Sequence, residues 1–467
     1  MEPKRILLVN LFSKRVYKSI GGGVTPLVPP LGLICIASSL FDAGYKVNIF
    51  DFMLYTKEKF IEKIKVFKPQ IIGMSFTTPL INEVAEISEI VKNINKNILI
   101  VGGGPHCSSF PESSLKETSI DIAVIGEGDF TILELASGKD FSNIKGIAYR
   151  KNNKIFVNER KDFIKDLDSL PFPVYHLFEF DKYCVSSMIA KKNPAAWLET
   201  SRGCVYNCIY CNKTVFGKTF RVKSPERIVE EFIRLKKYGF KEVFIADDGF
   251  TTDIDRAKKI CQLLIENKVN LAWSTLNGIR ADRVDIELLK KMKDAGCYRI
   301  YFGIESGSQH VLNKIRKGIT LEQIRHAVKL AKKVRLEVVG YFMLGLPEET
   351  EKTMQETIDF AKSLNLDLAK VAITIPLPAT DLFNELEQKG LIKSHDWEKF
   401  KFHSVPSMIY EHQNVSWETV EKYYRKFYKV IYSRPQVIFR IIMRSLKNKT
   451  LIKDIAQLFY IIKSARI

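Results

Sequence analysis

The chain has 467 residues, which is too long for one ordinary hydrophobic core, so we expect two or three domains. Its 46% hydrophobic and 27% charged residues are typical of a soluble globular protein, and no run of eighteen apolar residues is present to cross a membrane. The net charge of +19 would suit nucleic acid, anionic lipid or an anionic substrate. The lysines are spread along the chain and often alternate with glutamates, which favours a solvated surface and argues against nucleic acid as a partner.

Residues 1–140 alternate short apolar runs with segments of helix length. The first run, in MEPKRILLVNLF, lacks the small-residue cleavage site of a signal peptide, so we interpret it as a buried strand of a cytoplasmic protein. The alternation predicts an α/β domain with a doubly wound parallel sheet, whose ligands bind beyond the carboxyl ends of the strands. The predicted strands are residues 6–11, 47–52, 71–75, 98–102 and 122–125.

Glycine-rich loops follow three of these strands: residues 21–23, the segment GGGPH and the segment GEGD. No G-x-G-x-x-G opens the first helix, so the sequence does not support a dinucleotide site. The stretches PPLGLICIASSL, GGGPH and DIAVIGEGD resemble those of cobalamin-binding domains. The resemblance covers most of the first 140 residues, although each stretch is a weak motif by itself.

The resemblance implies a cobalamin in the crevice, with its dimethylbenzimidazole tail along the sheet. The residues assigned to it lie at strand ends and in glycine loops: Ser75, Gly102, Gly103, Gly104, His106, Gly126, Glu127 and Gly128. Many cobalamin domains carry D-x-H-x-x-G after the first strand, whose histidine ligates cobalt from below, yet residues 10–30 contain no histidine. The lower face of the cobalt is then left to water or to a side chain that does not coordinate. The alternatives are an ordinary loop histidine at His106 and a domain that kept its fold with an empty crevice.

Residues 141–195 are predicted to connect two domains. The segment GIAYRKNNKIFVNER has the pattern of a small hairpin, with Asn152 and Asn153 at the turn. Pro171 and Pro173 then interrupt regular structure, which suits an interdomain linker.

Cys204, Cys208 and Cys211 form a C-x3-C-x2-C array. A short loop with this spacing can place three thiolates at three corners of a cubic [4Fe–4S] cluster and leave the fourth iron open to a small molecule. A zinc site would normally add a second Cys/His pair, but the next cysteines, Cys261 and Cys297, are isolated. The scattered spacing also argues against disulfides. No further C-x2-C is present, so we predict one cluster.

The surrounding segment, TSRGCVYNCIYCNK, resembles the signature loop of the radical S-adenosylmethionine (SAM) superfamily. In that family the open iron binds SAM, which is cleaved to methionine and a 5′-deoxyadenosyl radical. Residues 196–390 contain six predicted βα units, fewer than the eight of a closed barrel. This number fits the partial six-stranded barrel of the superfamily.

The resemblance also assigns SAM contacts at the ends of the barrel strands. Asp247 would meet the amino group, Asn277 and Arg280 the carboxylate region, and the GIES segment the ribose. The GLP segment would pack on the adenine. The remaining assigned residues are Gly303, Glu305, Ser306, Gly345 and Leu346. The ordinary alternative for each is packing in a βα loop, or helix capping in the case of Asp247.

Residues 391–467 are predicted to be a helical region rich in aromatic and aliphatic side chains. After residue 433 basic residues greatly outnumber acidic ones, and apolar residues recur at helical spacing. Such helices could cover the barrel, or they could lie on anionic lipid at the inner face of the membrane.

The combined pattern predicts a cobalamin-dependent radical SAM enzyme, which most resembles the branch of the anaerobic magnesium-protoporphyrin ester cyclase and the hopanoid-modifying enzymes. We expect methylation of an unactivated carbon in an apolar small molecule or lipid, with electrons from an external donor such as flavodoxin or ferredoxin. The alternatives are radical cyclisation or rearrangement, an RNA-modifying methyl- or methylthiotransferase, and a corrinoid- or SAM-binding regulator without turnover.

Overall fold

The computed structural model of the protein describes residues 3–13, 16, 28–401 and 406–448. The predicted glycine loop at residues 21–23 and the helical pattern after residue 448 lie outside these ranges. Within them, two sheets surrounded by helices form the body of the molecule, one wholly parallel and one parallel in its first five strands. The predicted fold class is confirmed.

The N-terminal sheet has seven strands in the order β2-β1-β3-β4-β5-β6-β7. The first five strands of the chain pair in parallel. Each connecting helix returns the chain to the end of the sheet at which the previous strand began. The strands are β1 (Arg5–Asn10), β2 (Lys46–Asp51), β3 (Ile71–Ser75), β4 (Leu99–Gly103), β5 (Ile122–Val124), β6 (Ile147–Lys151) and β7 (Lys154–Val157). The helices are α1 (Leu31–Asp42), α2 (Lys57–Phe67), α3 (Ile81–Ile94), α4 (Pro105–Ser109), α5 (Pro111–Glu117) and α6 (Thr131–Ser137).

The hairpin predicted inside the linker is present as β6 and β7. It is not a separate element, because β6 pairs antiparallel with β5 along Ile122–Val124. The N-terminal sheet therefore extends to Val157. The remaining connector, residues 158–194, carries only short helical turns.

The second sheet has six parallel strands in the order β15-β14-β13-β12-β11-β8, as expected for a partial barrel. Its strands are β8 (Ala195–Leu198), β11 (Glu242–Ile245), β12 (Ala272–Ser274), β13 (Cys297–Glu305), β14 (Glu337–Leu344) and β15 (Leu368–Ile373). A two-stranded ribbon, β9 (Ser201–Arg202) and β10 (Arg221–Val222), frames the cysteine loop. The helices are α7 (Pro225–Tyr238), α8 (Ile254–Glu266), α9 (Ile286–Asp294), α10 (Gln309–Lys314), α11 (Leu321–Lys333), α12 (Glu351–Ser363) and α13 (Asp381–Gln388).

Local sequence explains where the barrel helices begin and end. Helix α7 starts after Ser224, whose hydroxyl accepts a hydrogen bond from the Arg227 backbone N–H at 3.2 Å, and it stops at Gly239. Helix α11 has a capping box in which Thr320 and Gln323 satisfy each other's backbone donors. Because the six strands are parallel, the βα loops that precede these helices, and with them the site, lie at one end of the sheet.

The C-terminal region covers the open edge of the barrel sheet. Helix α14 (Trp417–Tyr432) lies along β15, where the hydroxyl groups of Tyr428 and Tyr432 donate to the carbonyls of Val371 and Ala369 at 3.2 and 2.8 Å. This contact shields an edge strand that would otherwise be open to pairing. Helix α15 (Pro435–Asn448) follows α14 and is the helix on which the two alternatives of covering the barrel or lying on lipid fall.

Candidate active site

The three cysteines lie in the loop between β9 and β10, beyond the end of β8. All three thiols are free. The loop is held from the barrel side, because the Ile209 N–H donates to the Ile315 carbonyl at 3.2 Å and the Ile209 carbonyl accepts from Leu382 at 3.0 Å. Gly203 opens the loop at a φ of 84°, and a β-carbon there would clash with the backbone of Thr219.

Asn212, directly after the third cysteine, ties the loop to both domains. Its amide nitrogen donates to Ser109 Oγ of α4 at 3.0 Å and to the Pro378 carbonyl after β15 at 2.7 Å. Its amide oxygen accepts from the Thr214 backbone N–H at 2.9 Å. The sequence alone gave no role to Asn212.

Arg280 holds the other side of the loop. Its guanidinium carbon lies 3.7 Å from the centre of the Tyr206 ring, and it donates to the Lys317 and Gly318 carbonyls at 2.7 and 3.1 Å. Asp282 pairs with it at 2.9 Å. The guanidinium predicted to bind the SAM carboxylate is therefore already engaged in fixing the cysteine loop.

The donor set fits an iron–sulfur cluster. Among residues 3–13, 16, 28–401 and 406–448, no three metal-binding side chains surround one ion position. A cubic [4Fe–4S] cluster needs its three cysteine thiolates farther apart, because each one binds a different iron. Burial raises the pKa of the Cys204 thiol, and the nearby Asp248 charge adds to the shift, so a thiolate there needs a strongly cationic partner. Iron supplies that charge.

Asp247 and Asp248 follow β11 but have different environments. The Asp247 carboxylate is buried and accepts from the Thr200 N–H at 2.6 Å, from the Thr200 hydroxyl, and from Ser201 Oγ at 2.7 Å. The Asp248 side chain is open to the site, and its charge acts on both Cys204 and Cys211. Asn277 stabilises this corner by donating to the Asp247 carbonyl at 2.9 Å. Of the two carboxylates, Asp248 is the one available to a ligand.

Glu305 ends β13 in a strained conformation, with a φ of 66°. Lys317 Nζ donates to its carboxylate at 2.7 Å, and both side chains are buried. Gly303 leaves the room for this pair, since a β-carbon there would lie 2.8 Å from Glu305 Oε1 and 3.0 Å from Lys317 Nζ. Burial opposes the shift, but the Glu305 carboxylate and, more weakly, the nearby Cys208 raise the pKa of Lys317, so the pair lies close to the cysteine loop. Ser306 instead faces α12, with its hydroxyl 3.1 Å from Thr357 Oγ1.

The GLP segment after β14 packs against the C-terminal region. Gly345 has a φ of 75°, and a β-carbon there would approach the Trp417 ring to 3.0 Å. The Gly345 carbonyl accepts from Tyr410 at 3.2 Å, and Leu346 is fully buried with its carbonyl 3.0 Å from His412 Nε2. The glycine that was predicted to admit adenine makes room for a tryptophan.

A cavity of about 370 Å³ lies between the N-terminal sheet and the cysteine loop. Residues of both domains line this cavity. Among the residues that the structure describes, the lining is mostly apolar. Seven of the predicted cobalamin residues are in this lining: Ser75, Gly102, Gly103, Gly104, Gly126, Glu127 and Gly128. The barrel side contributes Glu199, Arg202, Val215, Phe216 and Ala246.

The cavity passes a simple test for a flat macrocycle. A β-carbon at Gly32 would meet nothing within 4 Å, and one at Gly103 would meet only the Val124 β-carbon at 4.0 Å. Larger side chains at these positions would fill the space that the glycines leave free. The residues present therefore fit a corrin ring bound above the strand ends.

His106 lies outside this lining. Its Nδ1 is 3.2 Å from Thr78 Oγ1, and its ring packs among Phe76, Phe110 and Trp397. The ring is fully buried, and burial lowers the pKa of His106 to about 4. Contact with the cobalamin tail stays a prediction that this geometry does not support.

Glu127 has partners that the sequence did not reveal. Its carboxylate is paired with Arg202 at 2.8 Å and with Arg221 at 2.8 Å, both from the ribbon that frames the cysteine loop. No local pattern signals these pairs, because each joins residues more than seventy positions apart.

Comparison with known proteins identifies the families of the two domains. The radical SAM superfamily model matches residues 198–361, and the B12 binding domain model matches residues 17–136. These matches define a radical SAM enzyme with a B12-binding domain. The chain belongs to the family of cobalamin-dependent radical SAM methyltransferases. The predicted family, the prediction of an enzyme, and its three cofactors, the [4Fe–4S] cluster, SAM and cobalamin, are confirmed.

Three relatives show what this chain is similar to, two of them named as methyltransferases and one as a cyclase. An uncharacterized methyltransferase of Pyrococcus horikoshii is 34% identical over 94% of this chain and 95% of its own. The cytidylyl-2-hydroxyethylphosphonate methyltransferase of Streptomyces wedmorensis is 29% identical, covering 78% of each chain. The anaerobic magnesium-protoporphyrin IX monomethyl ester cyclase of Rubrivivax gelatinosus is 29% identical over 84% of this chain and 72% of its own.

A solved structure shares the fold. The cobalamin-dependent S-adenosylmethionine radical enzyme OxsB aligns with a TM-score of 0.73 at 19% identity, over 98% of this chain and 72% of its own. Both sheets are included in such an alignment.

Proposed function

We propose that the protein methylates an unactivated carbon of a small molecule, with SAM as the methyl source. One observation carries this proposal: the cysteine loop and the glycine-rich strand ends of the cobalamin domain face the same cavity. When bound, the cluster and SAM supply a radical that removes hydrogen from carbon, and cobalamin supplies the methyl group. A substrate between the two domains would be reached from both sides.

The chain's own residues would perform three tasks. Cys204, Cys208 and Cys211 hold the cluster, and the open carboxylate of Asp248 accepts hydrogen bonds from the SAM amino group. The Glu305 carboxylate, held by Lys317 at 2.7 Å, would accept hydrogen bonds from the ribose hydroxyls. The apolar side chains of the cavity exclude water from a reactive radical.

We propose that the substrate is largely apolar and is taken from a membrane surface. Helix α15 supports this, because Phe439, Met443 and Leu446 are 63%, 50% and 52% exposed on one helical face. Exposed apolar side chains on a basic helix suit anionic headgroups. Among the described helices, none is both long and apolar enough to cross a membrane.

The reaction also needs an electron from outside the chain. We propose that a small electron-transfer protein, such as flavodoxin or ferredoxin, supplies it. Val205, at the tip of the cysteine loop, is 46% exposed, so the cluster loop reaches the molecular surface.

Anaerobic reconstitution tests the site assignment. We expect about four irons per chain, a corrinoid absorption spectrum and formation of 5′-deoxyadenosine. Replacing Cys204, Cys208 or Cys211 with alanine should abolish 5′-deoxyadenosine formation. Cys297→Ala is the control, because Cys297 is buried away from the loop in β13. Intact SAM cleavage in any of the three variants would contradict the assignment.

A radical cyclisation is the second candidate, since one of the similar proteins is named as a cyclase. SAM with a deuterated methyl group separates the two. Transfer of the label to an extracted product supports methylation, and 5′-deoxyadenosine with an unlabelled, rearranged product supports cyclisation.

A further inference from the structure

A buried ionic network crosses the boundary between the two domains. On the cobalamin side, Glu127 and Asp129 stand in the loop after β5. On the barrel side, Arg202 donates to Glu127 at 2.8 Å and to both Asp129 oxygens at 2.9 and 3.2 Å. Arg221 donates to both Glu127 oxygens at 2.9 and 2.8 Å. Two arginines and two carboxylates thus join the domains through geometry that allows little freedom.

The network also includes the linker and the strand before the cysteines. The Ile164 N–H donates to Glu127 at 2.8 Å, and Arg221 donates to the Ile164 carbonyl at 2.7 Å. Arg202 Nε donates to Glu199 at 2.8 Å. None of the paired side chains is more than 10% exposed. Water and salt therefore screen these pairs weakly.

These residues are next to both cofactor sites. Arg202 precedes the first cluster cysteine by two positions, so a shift of its backbone moves Cys204. Glu127, Asp129, Glu199 and Arg202 also line the cavity that fits the corrin. The same side chains therefore form part of the wall of the proposed cobalamin site and hold the backbone that leads into the cluster cysteines.

Stability alone does not explain such a network. Desolvating buried charges largely cancels the attraction between them, and well-packed apolar groups are often as stable. What a fixed fork of arginine and carboxylate adds is a defined geometry.

We infer that Arg202, Arg221, Glu127 and Asp129 are positioning residues that fix the distance between the cluster and the cobalt. The inference rests on the proposed function, because it requires both cofactors. Loosening the network leaves each cofactor in its own domain and lets their separation vary.

The spin–spin interaction between the two cofactors measures this distance directly. The protein is loaded with its cluster and hydroxocobalamin, then reduced so that [4Fe–4S]¹⁺ and cob(II)alamin each carry one unpaired electron. We expect pulsed electron paramagnetic resonance of the wild type to show a resolved interaction with one narrow distance. The Glu127→Gln/Asp129→Asn variant keeps the side-chain volumes and removes the charges. We expect it to bind iron and corrinoid but to lose the resolved interaction.

A matched control separates positioning from general damage. Glu231 is buried inside the barrel domain and pairs with Lys223 at 3.0 Å and Arg227 at 2.8 Å. Glu231→Gln removes a comparable buried charge whose hydrogen bonds all stay within the barrel domain, and we expect it to keep the narrow distance. If the double variant does not fold, Asp129→Asn alone should show a partial loss.

The outcomes distinguish this inference from the proposed function. A wild-type protein that binds no corrinoid overturns the proposed function and the inference with it. A wild-type interaction that persists unchanged in the folded Glu127→Gln/Asp129→Asn variant, or in Asp129→Asn when the double variant does not fold, overturns the inference alone. Equal loss in Glu231→Gln would also overturn it, because the effect would then follow from any buried charge.

Discussion

The guanidinium of Arg280 stacks on the ring of Tyr206, with 3.7 Å between the guanidinium carbon and the ring centre. Tyr206 lies between the first two cluster cysteines, and Arg283 Nε donates to its hydroxyl at 2.8 Å. Two arginines from the loop after β12 thus hold the side chain at the tip of the cysteine loop. A residue that resemblance assigns to SAM instead organises the cluster loop in this structure.

Replacing Arg280 should therefore weaken the cluster before it weakens SAM binding. Arg280→Met removes the stacking cation and the hydrogen bonds to the Lys317 and Gly318 carbonyls, a loss on the order of 2–3 kcal/mol. We expect the Arg280→Met protein to lose iron to a chelator faster than the wild type. The fraction that keeps its cluster should bind SAM with the wild-type affinity. Isothermal titration of reconstituted protein measures the affinity. A large loss of affinity with normal iron retention would restore the predicted carboxylate contact.

Asp248 and Asp247 should respond differently to the same chemical change. Asp248→Asn removes an open charge, so we expect weaker SAM binding at nearly unchanged stability. Asp247→Asn disturbs a buried carboxylate with three hydrogen bonds, at a cost of roughly 1–3 kcal/mol of unfolding free energy. Urea unfolding and SAM titration on both variants check the pair. Equal SAM affinity in Asp248→Asn and wild type would contradict the assignment of Asp248.

Variants of the Glu305–Lys317 pair can separate its contribution to protein stability from its contribution to SAM binding. Lys317→Met leaves the buried Glu305 charge unpaired, which typically costs about 3–5 kcal/mol. The double variant Glu305→Gln/Lys317→Met should recover much of that stability, because no charge is stranded. We expect it to remain defective in SAM binding, since the ribose acceptor is gone. Full recovery of both properties would show that the pair is structural only.

Local patterns were sufficient to predict both sheets. Apolar runs separated by helix-length segments define βα units wherever they occur, and the C-x3-C-x2-C spacing is local by nature. The hairpin was predicted correctly as a hairpin, but its pairing with β5 was not visible, because the partner lies beyond a helix and a loop. The covering of β15 by Tyr428 and Tyr432 likewise depends on a distant edge.

Side-chain roles were harder to predict for a physical reason. Asp247 and Asp248 are neighbours in the loop after β11 with nearly the same sequence context, yet Asp247 is buried against Thr200 and Ser201 and Asp248 is exposed. Glu127 in a glycine loop is typical of a ligand contact, yet two arginines from another domain satisfy it. The Trp417 ring explains Gly345, and it lies more than seventy residues away. Partners brought together by tertiary packing leave no local signal.

His106 predicts an acid-sensitive fold. Burial lowers its pKa from 6.5 to about 4, so the unfolded chain binds a proton more readily than the folded one. Its contribution to stability is complete above pH 6.5 and falls as the pH drops, by about 2 kcal/mol at pH 5 and about 3 kcal/mol at pH 4. His106→Leu should remove this part of the pH dependence. Urea unfolding of the metal-free protein at pH 7 and pH 5 measures it. Parallel losses in variant and wild type would contradict the assignment.

Helix α15 predicts binding to anionic membranes. Its inner face is buried through Val437 and Ile441, so deleting the helix would expose core, and point variants are the cleaner test. We expect the wild type to float with phosphatidylglycerol liposomes at low salt, because apolar insertion and charge act together. The exposed face is removed by Phe439→Ser, Met443→Ser and Leu446→Ser combined. This variant should bind at least about tenfold more weakly, since each side chain loses part of its transfer free energy.

The control for α15 uses a second exposed apolar pair. Phe156 and Val157 on β7 are 43% and 47% exposed, far along the chain from α15. Phe156→Ser/Val157→Ser should float like the wild type, because those side chains are not part of the proposed membrane face. If the wild-type protein does not float with the liposomes at low salt, the proposed membrane binding is wrong. A polar substrate would then be as well supported as an apolar one, and α15 would serve only to cover the barrel edge beside α14.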